Sequence, residues 1–185
     1  TTAVVANFRA SEESGQLRLG ARAFASTLQS LQNMAQTGRL TALCNNPART
    51  VCTGGPTVCA GATCSPGLPA GGYGIQIAQD GGAITLFADG NENHLLDPGE
   101  TLADMVLNLP RNVIIDNAAD ATGPYDQISN TLIITFKPPE PTVWINAIEI
   151  EAEKEPEAHV VLRHEKKNET RTIVLRRISG RIEID

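Results

Sequence analysis

Apolar residues recur every third or fourth position in the first part of the chain and every second position through most of the rest. Leu17, Ala21, Phe24, Leu28, Leu31 and Ala35 follow one another at spacings of 4, 3, 4, 3 and 4, which places them on one stripe of an α-helix. No proline interrupts Thr1 to Thr37, and Gly38 follows as a left-handed C-terminal cap. No Ser/Thr-x-x-Glu capping box opens the segment, and Val4, Val5 and Phe8 make its first residues apolar, so the helix is expected to begin upstream of this chain. A helix of that length runs about 55 Å, against about 35 to 40 Å for the rest packed as one domain. Its N-terminal end is therefore expected to project. Burying Leu17, Phe24, Leu28 and Leu31 contributes about 2 kcal/mol each, whereas Arg9, Glu12, Glu13 and Gly15 break the stripe in the first half. The competing reading is an ordinary core helix with a frayed start.

Period two begins after residue 72. Tyr73 to Ala78 and Ala83 to Ala88 flank an Asp80-Gly81-Gly82 turn, a hairpin pattern. Further strands are expected at Thr101 to Leu109, Asn112 to Asp116, Thr131 to Phe136, Thr142 to Ala147, Ala158 to Glu165, Thr170 to Ile178 and Arg181 to Ile184. Turns at Lys166-Lys167-Asn168-Glu169 and Ser179-Gly180 close the last meander. No helical period separates these strands, so the sheet is expected to be antiparallel. Lys137-Pro138-Pro139-Glu140-Pro141 cannot donate to a ladder and reads as an edge or loop. The acidic run Glu149, Glu151, Glu153, Glu155 and Glu157 reads as an exposed loop or strand face. The fold class is α+β: a helix over 1–38, a cysteine-rich loop over 39–72 and an antiparallel β domain over 73–185.

Composition narrows the partners. The 185 residues are 41% hydrophobic, enough for a sizeable core, and no stretch approaches the ~20 apolar residues of a membrane span. A net charge of -6 argues against wholesale nucleic-acid binding. Positive charge is nevertheless concentrated at the C-terminal end, in Arg163, Lys166, Lys167, Arg171, Arg176, Arg177 and Arg181. It forms either a local basic face or, interleaved with Glu165, Glu169, Glu183 and Asp185, ordinary solvated strand faces.

Cys44, Cys52, Cys59 and Cys64 fall in a Gly-, Pro-, Thr- and Asn-rich segment without a CxxC pair or a nearby histidine. That spacing suits zinc poorly. A loop with little apolar content gains most from covalent cross-links, so two disulfides are expected, against four reduced thiols. Three pairings are open. The symmetry around Val51 to Cys59 suggests a hairpin closed by Cys52–Cys59, leaving Cys44 with Cys64. Disulfides imply an oxidising compartment and hence export, while the chain carries no signal peptide and no initial Met. A segment upstream is expected to have been removed.

The stretch from Asp89 to Glu100 matches a twelve-residue calcium loop, with Asp89, Asn91, Asn93, Asp97 and Glu100 as side-chain ligands and the Leu95 carbonyl at the seventh position. Calcium takes six to eight hard oxygens, and this spacing wraps them around one point. The departure is His94 where glycine makes the sharp turn, although histidine tolerates positive φ better than most residues. The same letters also read as a polar Asx-rich turn. Nothing points to catalysis: His159 and His164, five apart in one strand, face opposite ways, and no GxSxG, HExxH or phosphate loop occurs. Asn168-Glu169-Thr170 is a glycosylation sequon of the kind that arises often by chance.

Taken in order along the chain, several segments together resemble a type IV pilin or pseudopilin of the minor-pilin branch. They are Val4-Val5-Ala6-Asn7-Phe8, Ser11 to Gly15, Leu28 to Ala35 ending at Gly38, Tyr73 to Ile75 with Phe87 to Asp89, and the terminal Ile173 to Ile184 hairpin. The resemblance implies a long helix packed on an antiparallel sheet, an apolar segment upstream that anchors the subunit in the inner membrane before assembly, and a place in a pilus or a type II secretion pseudopilus. Its partners would be other pilin or pseudopilin subunits, at the cell surface or in the periplasm. Two alternatives stand beside it. One is a minor pilin that captures DNA through Arg163, Lys166, Lys167, Arg171, Arg176 and Arg177. The other is a calcium-stabilised adhesive module acting through the disulfide loop.

Overall fold

The computed structural model describes residues 2–47, 49–52, 59, 63–78, 83–120, 131–138, 142–146, 157–167, 169–176 and 180–185, with the backbone alone described for 2–11 and for 119–120. The proline-free segment forms one helix, α1, Thr2–Gln36, about 52 Å long at 1.5 Å per residue. Its whole stripe is buried: Leu17, Ala21, Phe24, Leu28, Leu31 and Ala35, with Ala25 and Met34 widening it. Gly38 adopts φ 62°. The Gly38 amide donates to the Ala35 carbonyl at 3.2 Å and the Arg39 amide to the Met34 carbonyl at 2.9 Å, the paired bonds of a Schellman cap. Among the described residues no helix is long and apolar enough to cross a membrane.

Strand β1 is Thr41–Cys44 and β2 is Cys64–Gly67. They are followed by β3 Gly72–Ala78, β4 Ile84–Asp89, β5 Val113–Asp120, β6 Thr131–Lys137 and β7 Thr142–Ile145. The last three are β8 Glu157–His164, β9 Thr170–Arg176 and β10 Ile182–Ile184. All pairings among the described residues are antiparallel, as expected from the period-two pattern. They form two four-stranded sheets, β4-β3-β6-β7 and β10-β9-β8-β5, and a small β1-β2 ribbon, rather than the single sheet expected from periodicity. The helix packs on both larger sheets and one hydrophobic core joins all three layers. At Gly20 the approach is close, since a Cβ there would lie 3.0 Å from Val113 of β5.

The pattern in β8 is a clean alternation, with Ala158, Val160, Leu162 and His164 buried and the residues between them half-buried. Each shift of one residue would turn this face away from α1. By contrast β6 is buried from Leu132 through Phe136, the signature of a strand covered on both faces.

One strand expectation fails. Of Thr101 to Leu109, only Thr101 pairs, in an isolated bridge with Phe87, and the chain then turns as the Met105 amide bonds the Leu102 carbonyl at 3.2 Å. Apolar alternation selects a face, but a strand also needs a neighbour for its peptide groups, and the segment after Leu102 has none. Strands β1 and β2 were not anticipated. The Asp80-Gly81-Gly82 turn, the tip of the 51–59 hairpin, the Pro139 to Pro141 segment, the acidic run before Glu157 and Ser179 lie outside the described residues.

Candidate functional site

The cysteines form two disulfides, but interlaced rather than nested: Cys44 with Cys59 and Cys52 with Cys64. The β1-β2 register sets Cys44 opposite Cys64. Residues 50–52 run along the other side of β1, with the Cys52 amide on the Ala42 carbonyl and the Cys44 amide on the Thr50 carbonyl, both at 2.8 Å. All four sulfurs therefore gather at one place. Cys52 and Cys59 sit 3.2 Å apart without bonding. Proximity along the chain consequently does not decide the pairing.

The Asp89–Glu100 loop leaves the end of β4 and returns to it, since the Ala88 amide donates to the Glu100 carbonyl at 2.9 Å. Asp89 and Glu100 are both fully buried. Asp89 Oδ1 accepts the Glu92 amide at 2.7 Å and Oδ2 the His94 amide at 2.8 Å. Glu100 accepts the Gly90 amide at 2.9 Å and the Asp97 amide at 3.0 Å. Asn91 Oδ1 and Asn93 Oδ1 each accept the amide two residues on, at 3.2 and 2.9 Å, which folds the loop into successive Asx turns. Both asparagine amides also donate to Asp97 Oδ2 at 2.7 Å, so these three side chains meet at one point.

The departure at the sixth position is accommodated: His94 takes φ 59° and lies flat on Trp144 with ring centroids 4.0 Å apart. Gly71 packs so tightly on the Asp89 carboxylate that no side chain fits there. Burial of two acids this close is electrostatically expensive. Burial pushes the Glu100 carboxyl up to about 6, with the charges of Asp89 and Asp97 adding to the rise and the amides of Asp97 and Gly90 opposing it. His94 Nδ1 lies 3.5 Å from Asp89 Oδ2, and among the described residues no Lys or Arg pairs with Asp89 or Glu100. At the rim, Lys137 pairs with Glu92 at 2.6 Å and holds its carboxyl below the usual range. The donor set of carboxylates, amide oxygens and the Leu95 carbonyl suits a hard divalent cation. Two buried carboxylates without a Lys or Arg counter-ion are what such an ion would neutralise.

The basic strand residues are largely engaged with acids. Arg163 bonds Asp116 at 2.6 Å, Lys167 bonds Glu13 at 3.2 Å and Glu169 at 3.7 Å, and Arg176 bonds Glu157 at 3.1 Å and Glu183 at 3.7 Å. Lys166 is exposed in the β8-β9 turn, and Arg177 lies outside the described residues. Arg171 differs, because it lines a depression with Arg18 and Arg22 of α1. Sequence reading had not singled out those two residues, although their spacing of four in a helix places them on one face. His159 and His164 do face opposite ways, one beside Glu157 and the other buried.

Compared with protein-family models, with curated proteins and with solved structures, the chain matches none. Its fold is that of an α+β protein with one long N-terminal helix laid across antiparallel sheets and two disulfides beside the helix end.

Proposed function

We propose that this chain is the soluble part of an exported, pilin-like filament subunit of a type IV pilus or secretion pseudopilus, assembling through its N-terminal helix. The observation that supports the reading is the length of α1, one unbroken helix from Thr2 to Gln36 whose buried stripe runs from Leu17 to Ala35. The most N-terminal side-chain bonds from α1 to the sheets, among the described residues, are Glu13 to Lys167 and Ser14 to Glu169. The 11 helical residues from Thr2 to Glu12 continue the rod for about 16 Å beyond them. In this reading the N-terminal part of α1 gains its stability by lying against the helices of other subunits. In this reading the partners are other subunits, an upstream apolar segment anchors the chain in the inner membrane before assembly, and the sheets face outward. Two disulfides support an oxidising location outside the cytoplasm.

Function in this reading lies in assembly rather than catalysis. Calcium has a structural place in it: held by Asp89, Asn91, Asn93, Asp97, Glu100 and the Leu95 carbonyl, it would neutralise buried carboxylates and tie the end of β4 to the chain leading into β5. The test combines gene and protein. An apolar span of about 20 residues encoded just upstream of Thr1 is expected. Replacing residues 2–12 by a non-helical linker should abolish incorporation into filaments while leaving the melting temperature of the soluble chain within a few degrees. A conventional cleaved leader with no surviving apolar span, or unchanged incorporation, rejects the reading.

A further inference from the structure

Arg18, Arg22 and Arg171 face one depression of about 390 Å³, with Ile184 as an apolar part of its wall. Two elements fix this arrangement. On α1, Leu17 and Ala21 point into the core, so the next residue along each time, Arg18 and Arg22, emerges at the rim of the helix one turn apart. On β9, Arg171 stands opposite Leu162 of β8 in the antiparallel register, and directly opposed residues share a face. Leu162 is buried against α1 near Gly20. Arg171 is therefore on the helix side of the sheet, and Ile184, opposite Ile173, shares that side.

The three guanidinium groups share one depression and have no carboxylate partner among the described residues, as Arg49, Arg111 and Lys166 also have none; what distinguishes the three is that they line one site together. Arg39, Lys137, Arg163, Lys167, Arg176 and Arg181 each pair with a carboxylate. Arg18, Arg22 and Arg171 form no ion pair among the described residues. Three like charges brought together in a chain of net charge -6 repel one another, and a bound anion removes that repulsion. We propose that this depression is a binding site for a phosphate group. Arginine forks bind phosphate oxygens bidentately, and a tetrahedral dianion offers oxygens to three forks at once, whereas a carboxylate has two oxygens and a single charge. The site is independent of the filament reading and of the calcium loop.

The test is isothermal titration of the intact chain with inorganic phosphate, with acetate as the carboxylate control and a short DNA duplex as the polymeric source of phosphate. Saturable phosphate binding is expected, at least tenfold tighter than acetate. Arg22→Gln and Arg171→Gln should each weaken it at least tenfold. Arg39→Gln, at the far end of α1, should leave it unchanged. Because these arginines stand at the surface, the variants should keep the wild-type circular dichroism and melting temperature. A duplex that binds more tightly than free phosphate and is lost in the same two variants assigns the phosphate to a nucleic acid. A duplex that binds no better assigns it to a free phosphate or phosphate monoester. Absence of saturable binding by either probe, acetate binding as tight as phosphate, or wild-type affinity in both variants overturns the proposal.

Discussion

His94 lies on the face of Trp144, with 16° between the ring planes, and this stack holds a residue with a Cβ in the left-handed conformation where the loop turns most sharply. The stack contributes about 0.5–1.5 kcal/mol beyond simple burial. It also explains how the loop dispenses with the glycine expected there. Two variants separate the roles. His94→Ala loses the stack and keeps the left-handed strain, while His94→Gly loses the stack and relieves the strain. His94→Gly should therefore be the more stable of the two by about 1 kcal/mol, read from urea unfolding midpoints at constant slope. Equal midpoints would mean that the backbone conformation at this position costs nothing.

Calcium should raise the thermal midpoint of the chain above its value in chelator. At one hundred times the dissociation constant the gain is about 2.7 kcal/mol. Glu100→Gln and Asp89→Asn should abolish the difference between the two conditions. A midpoint that does not move between calcium and chelator would leave the loop as a self-bonded turn, held by its own Asx and backbone bonds.

In chelator the same loop should impose a pH dependence of unusual sign. The Glu100 carboxyl is raised from about 4.5 to about 6 by its burial, so between those values the folded chain holds a proton that the unfolded chain has released. Its contribution to stability is fully present below about pH 4.5 and is lost as pH rises through about 6. Glu92 and Glu169, held low by Lys137 and by Ser14 with Lys167, act in the opposite direction. The informative quantity is thus the difference between wild type and Glu100→Gln. That difference should grow in the variant's favour as pH is raised from 4 to 7 in chelator, and should vanish or reverse in saturating calcium.

Peptide mapping without reduction should recover Cys44 linked to Cys59 and Cys52 linked to Cys64. Removing either bridge as a Ser pair should cost about 3 kcal/mol, because each closes a loop whose sequence separation is 15 or 12 residues in a segment with few apolar side chains of its own. Recovery of a Cys52–Cys59 peptide would reinstate the nested arrangement suggested by the symmetry of the sequence.

Local order was legible in the chain, because it is encoded in spacings of four residues or fewer. The α1 stripe, the Gly38 cap, the alternation of β8 and the turn-rich loop after β4 each depend on neighbours close in sequence. Strands β1 and β2 escaped because Cys64-Ser65-Pro66-Gly67 has little intrinsic preference for a strand. That ribbon exists because two disulfides and the 50–52 segment hold it. Thr101 to Leu109 misled for the converse reason, having the period of a strand without a partner strand after Leu102.

By itself, then, the sequence determined the class of the protein: a long helix, antiparallel strands, a cross-linked loop and one oxygen-rich turn. Only the tertiary structure decided that the strands divide into two sheets beneath one helix and that the cysteines interlace. It also decided that Arg163, Lys167 and Arg176 are met by acids while Arg171 meets Arg18 and Arg22. Periodicity is a property of near neighbours, whereas each of these outcomes depends on groups scores of residues apart or on which of several competing partners packing brings within a few ångströms.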